Sequence, residues 1–107
     1  MLYLVEFMAA QAGAPPSREQ TIEELDKILI PSLESLGKES RVLAGGIAAG
    51  TFTGAFVIEA KSKDEVTALV GALPASSIMK WQVTLIETFA HRADIEKNTV
   101  QGLRAQK

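Results

Sequence analysis

Two carboxylates stand among apolar neighbours in strand-like stretches: Glu6 in Leu4-Val5-Glu6-Phe7 and Glu59 in Val57-Ile58-Glu59-Ala60. A carboxylate enclosed by apolar groups holds its proton more tightly, because burial disfavours the charged form. Near neutral pH such a group can take a proton from a carbon beside a carbonyl and return it elsewhere. Two carboxylates in one cavity push their pKa values apart, which yields one acid and one base. Glu6 is therefore the first candidate catalytic residue and Glu59 the second. The competing reading is that each pairs with a basic group across a subunit interface, since charged residues are rarely buried unpaired.

Arg41 can hold a substrate carboxylate through a forked pair of hydrogen bonds, or form an ordinary ion pair. Gln82 and Thr84 alternate with Trp81, Val83 and Leu85, which makes them polar candidates for substrate binding on the opposite strand face. His91 is the sole histidine, which excludes a zinc site built from several histidines. It either lines a substrate pocket or is solvated at a strand end. Cysteine is absent, so there is no disulfide framework and no thiolate nucleophile. The glycine-rich run from Gly45 to Gly50 lacks the lysine of a phosphate loop and the spacing of a dinucleotide fingerprint. The residues therefore call for neither metal nor cofactor.

The elements that must position these groups follow from periodicity. Met1 to Met8 reads as a strand rich in Leu, Tyr, Val and Phe. Ala9 to Pro16 is a loop of small residues ending in a double proline. Ser17 caps a helix, with Gln20 placed for a capping box. Ile22, Leu25, Ile28, Leu29, Leu33 and Leu36 give that helix one apolar stripe. Pro31 kinks or restarts it, and Gly37 stops it. Arg41 to Ile47 is a second strand with a bend or bulge expected at Gly45-Gly46. Ala55 to Ala60 is a third strand. Ser62 or Asp64 caps a second helix over Glu65 to Leu73, ended by Pro74. Met79 to Phe89 is a fourth strand. Trp81 belongs in the core, where its indole N–H needs an acceptor.

The order strand, helix, strand, strand, helix, strand is the split βαβ pattern: an α+β, ferredoxin-like fold with an antiparallel four-stranded sheet and both helices on one face. Residues 1–90 make this subunit, and 91–107 form a polar tail with weak helical spacing through Ile95, Val100 and Leu103. Alternation turns Tyr3, Val5 and Phe7 toward the helices. It leaves Leu2, Leu4, Glu6 and Met8 on the other face, with Val57, Glu59, Gln82, Thr84 and Ile86. So apolar a face is not left wet as one patch; it pairs with another subunit or lines a covered pocket.

With 107 residues the chain holds one core. A net charge of -2 with mixed signs and no basic face argues against a nucleic-acid partner. No apolar stretch approaches the ~20 residues of a membrane span. The apolar opening has no basic segment before it and is interrupted by Glu6, which argues against a secretory signal. The expected compartment is the cytoplasm.

Met1-Leu-Tyr-Leu-Val-Glu-Phe, Ser62-Lys-Asp-Glu-Val and Gly71-Ala-Leu-Pro followed by Met79-Lys-Trp-Gln-Val-Thr-Leu resemble the muconolactone delta-isomerase family. The resemblance spans about three quarters of the chain. It is strongest from Ser62 to Leu85, departs from the family's polar residues at Leu4 and Glu6, and stops before the C-terminal tail. It implies a ferredoxin-like subunit that pairs into a dimeric α/β barrel, assembles into a larger ring, and shifts a proton in a small unsaturated lactone acid from aromatic breakdown without metal or cofactor. Three functions remain open at this level. One is a proton-shifting isomerase acting on a small-molecule substrate. Another is a non-catalytic homo-oligomeric module that binds a small molecule or a protein. The third is a cofactor-free oxygenase of the same fold.

Overall fold

The computed structural model describes residues 1–9 and 17–106; the expected loop after Ala9 lies almost wholly outside them. Strand β1 spans Leu2–Ala9. A helical run follows: α1 over Arg18–Glu24, a π-helical stretch over Leu25–Leu29 and α2 over Ile30–Lys38. Ser17 caps α1 through the full capping box, its Oγ accepting from Gln20 N at 3.2 Å while its own N–H donates to Gln20 Oε1 at 3.0 Å. Pro31 sits in the first turn of α2. The wider π turn before it is how the helix absorbs a residue that has no N–H to donate, so the interruption expected at Pro31 is a π stretch.

Strand β2 (Val42–Ile47) and strand β3 (Thr53–Glu59) form a hairpin. Its bulge falls between Val42 and Ala44, not at the glycine pair. Gly45 instead permits close approach. A Cβ there would lie 2.5 Å from Phe56 Cβ, so the absent side chain lets the two strands close. Helix α3 spans Lys63–Gly71, with Ser62 Oγ accepting from Glu65 N at 3.2 Å. A short 3-10 turn, Pro74–Ser77, leads into β4 (Met79–Ile86), and α4 runs over Phe89–Ala105. The strand expected to reach Phe89 therefore ends earlier, because Thr88 caps α4 by accepting from His91 N.

All strand pairs are antiparallel, in the order β2-β3-β1-β4. This is the α+β, ferredoxin-like arrangement that the element order implies. One face carries the core: Tyr3, Val5, Phe7, Phe56 and Ile58 pack under Val66 and Val70 of α3, with Leu36, Trp81 and Val83 at its margin. Val5, Ile58 and Val66 are wholly buried, each worth about 1.5–3 kcal/mol relative to exposure. Trp81 stacks at 5.4 Å from Phe7, and its Nε1–H donates to Ser76 O at 3.3 Å.

Two expectations about this face need correction. Leu85 shares the helix-side register with Tyr3 yet is 61% exposed. The edge strand β4 is covered only near Trp81 and Val83, and α4 leaves without folding back. The apolar stripe of the first helix is also only partly used, since Leu29 is buried while Ile22, Leu25 and Leu33 are exposed. No residue of α4 is buried, and Phe89 is 96% exposed. Among the described residues no helix is long and apolar enough to cross a membrane.

Candidate active site on the open face of the sheet

The sheet face opposite the helices is uncovered, and its register sets out the site in rows. In the central row Glu6 of β1 lies between Ala55 of β3 and Gln82 of β4, with Gly46 of β2 beyond Ala55. The next row toward the start of β1 holds Ala44, Val57, Leu4 and Thr84. The row after that pairs Glu59 with Leu2 and Leu2 with Ile86. In the other direction Met8 lies between Thr53 and Lys80. Period-two alternation puts all of these side chains on one face.

Two features give the central row its character. Beside Glu6, the residues Ala55 and Gly46 are small, and a Cβ built on Gly46 would meet nothing within 4 Å. Strands are spaced about 4.8 Å apart, so this floor is roughly 10 Å wide, enough for a planar ring. Toward the Met8 end, across β3, β1 and β4, a depression of about 270 Å³ is lined by Glu6, Met8, Thr53, Lys80 and Gln82, together with Phe7, Gly54 and Trp81. Glu6 and Gln82 are exposed in the single chain, as is Thr84 in the adjacent row. The apolar enclosure expected around Glu6 is thus not made by one chain alone.

The other candidates from the sequence lie elsewhere. Glu59 shares the open face with Glu6 but is offset by four residues along β3 from Glu6's partner Ala55, or about 13 Å. At that separation two charges interact by only about 0.3 kcal/mol in water. The two therefore do not share one cavity within a single chain. Arg41 points to the helix side, where Nε donates to Glu39 Oε1 at 2.9 Å and Nη1 to Glu65 Oε1 at 3.0 Å. Those hydrogen bonds, reinforced by opposite charge, hold both carboxyls below the usual carboxylate range and keep the guanidinium more firmly protonated. Arg41 is committed to this cluster and does not reach Glu6. His91 lines a depression of about 520 Å³ at the elbow between β4 and α4, with Met1, Leu2, Leu85 and Ile86, where its Nε2 lies 3.7 Å from Glu87 Oε2. That elbow is at the Leu2 end of the sheet, away from Glu6.

The structure therefore groups Glu6, Gln82 and Thr84 and adds Lys80 and Thr53. Lys80 is absent from the residues singled out by sequence, although the alternation that turns Gln82 and Thr84 outward turns it outward too. It is the only basic residue in any of the described strands.

Comparison with known proteins yields structures only: no protein-family model and no curated protein matches the chain. One similar structure is the 5-chloro-2-hydroxyhydroquinone dehydrochlorinase TftG of Burkholderia phenoliruptrix AC1100, in complex with 2,5-dihydroxybenzoquinone. It is 23% identical with a TM-score of 0.56, over 85% of this chain and 98% of that one. Another is a muconolactone isomerase, 18% identical with a TM-score of 0.59, over 83% of this chain and 92% of that one. At these identities the likeness is one of fold: this chain has the architecture of both.

Proposed function

We propose that the protein is a muconolactone delta-isomerase-like, cofactor-free enzyme that shifts a proton in a small unsaturated lactone or carbonyl acid, with Glu6 as the base. The observation that carries this reading is the central row of the open face, where a carboxylate stands between an amide and a floor of small side chains. The substrate ring lies over Ala55 and Gly46. Glu6 removes a proton from the carbon beside the carbonyl, and the electron pair left behind spreads onto the carbonyl oxygen. The side-chain amide of Gln82 and the hydroxyl of Thr84 donate hydrogen bonds to that oxygen as its charge grows. The protonated Glu6 then returns the proton at the far end of the conjugated system, and the double bond moves. The product is an isomer, so no electron acceptor or second substrate is required. Both similar structures are of proteins named for work on small oxygenated molecules, which supports the substrate class.

The working form is a homo-oligomer in which two open faces pair, enclosing Glu6 under Leu4, Met8, Val57 and Ile86. The exposed helix α4 supports a further contact between copies. The chain's radius of gyration is 18.6 Å, against about 13 Å for a compact chain of this length. A helix of 17 residues with none buried is marginal on its own in water and calls for a second surface.

Glu6→Gln tests the base. General-base removal costs about 10²–10⁴ in kcat, while the amide leaves shape and assembly intact. Turnover of a muconolactone-type substrate at the wild-type rate would refute the assignment. Loss of assembly with unchanged turnover per subunit would favour a paired, structural Glu6.

A further inference from the structure

We propose that Lys80 is the anion-holding residue of this site and receives the carboxylate of the acid substrate. The proposal rests on the reading of Glu6 as a base and adds to it. A negative base repels a negative substrate, and an anionic acid will not settle beside Glu6 unless a cation offsets its charge. The four strands supply one such group, Lys80. The other candidates are occupied or remote: Arg41 is bound to Glu39 and Glu65, and Arg92 to Glu87 and Glu96. His91 lies beside Glu87 at the far end of the sheet.

Lys80 lines the same depression of about 270 Å³ as Glu6, Thr53 and Gln82. Glu6 is opposite Gln82 and Met8 is opposite Lys80, so Glu6 and Lys80 are diagonal neighbours on one face, about 7–8 Å apart. Among the described residues neither enters an ion pair. A base and a cation at that separation suit an acid whose carboxylate is a few bonds from the carbon that loses its proton. The ammonium is a point charge on a flexible stem and can follow a carboxylate that sits off the ring plane.

The test is equilibrium binding of a saturated γ-lactone acetic acid, which carries the carboxylate but cannot isomerise, and of its methyl ester. Isothermal titration calorimetry gives the readout, because the Trp81 indole packs on the opposite, helix-covered face of the sheet. Lys80→Gln is expected to weaken binding of the acid at least tenfold and to leave the ester unchanged, while Lys80→Arg retains most of the affinity. In wild type, raising salt should weaken the acid and not the ester. Equal affinity of wild type and Lys80→Gln for the acid would overturn the proposal, as would equal affinity of wild type for acid and ester. Glu6→Gln separates the two readings: a variant that turns over normally while Lys80→Gln loses the acid removes the base and leaves the anion site standing.

Discussion

Ser32 is the single buried polar side chain among the described residues, at 4% exposure, and it ties two layers together. Its Oγ–H donates to Ile28 O at 2.8 Å, and its oxygen accepts from the Ala75 N–H at 2.9 Å. Ala75 belongs to the 3-10 turn that delivers β4, the strand of Lys80, Gln82 and Thr84. Ser32→Ala removes the acceptor and leaves a buried N–H with no partner. An orphaned donor of this kind costs roughly 1–3 kcal/mol, and the small change in volume adds little. A central value of about 2 kcal/mol lowers the melting temperature by roughly 8–16 °C for a domain of this size. With a urea slope of about 1.5 kcal/mol/M it moves the midpoint by roughly 1.3 M. The assay is urea unfolding followed by circular dichroism at fixed protein concentration, because an oligomer's stability depends on concentration. Ser35→Ala on the exposed side of α2 is the control, expected within about 0.5 kcal/mol of wild type. A Ser32→Ala midpoint indistinguishable from that control would refute the argument that this serine fastens α2 to the entry of β4.

Two further outcomes follow from other parts of the molecule. Glu39 and Glu65 have carboxyl pKa values lowered from 4.5 by Arg41, so their stabilising contribution is full above that value and fades as pH falls below it. Arg41→Gln should lower stability at pH 7 and flatten its fall on acidification below about pH 5; equally steep acid limbs in thermal melts of variant and wild type would count against the cluster. Leu103 on α4 is exposed in the single chain, so Leu103→Asp should leave subunit folding intact but reduce the mass measured by light scattering, whereas an unchanged mass would show that α4 does not dock on a second copy.

The fold is legible in the sequence because its determinants are local. Ser17 with Gln20 and Ser62 with Glu65 mark helix starts through hydrogen bonds between residues three apart, and alternation in β1 sorts Tyr3, Val5 and Phe7 from Leu2, Leu4 and Glu6. The bulge at Leu43 is not legible, because it depends on cross-strand register with β3 and the glycines nearby give a louder local signal. The exposure of Leu85 is hidden for a related reason: alternation gives the face of a residue but not how far the helix layer extends over it.

The site divides along the same line. Alternation alone places Glu6, Gln82 and Thr84, and they share a patch in the structure. Arg41 escapes such reasoning because its partners, Glu39 and Glu65, are brought to it by the turn before β2 and the start of α3. Lys80 obeys the pattern that reveals Gln82, yet a lone lysine near a strand end carries no signal until the register sets it diagonal to Glu6.

The most direct test of the account is a crystal structure of the native oligomer, read at the carboxylate of Glu6. The account predicts a closed cavity of about 300 Å³ or more between two paired sheets, with Glu6 free of any ion pair, Ala55 and Gly46 as its floor, and Gln82 and Lys80 at its wall. A dry interface packed directly onto Ala55 and Gly46, with Glu6 bridged to a basic residue of the second copy, would contradict it.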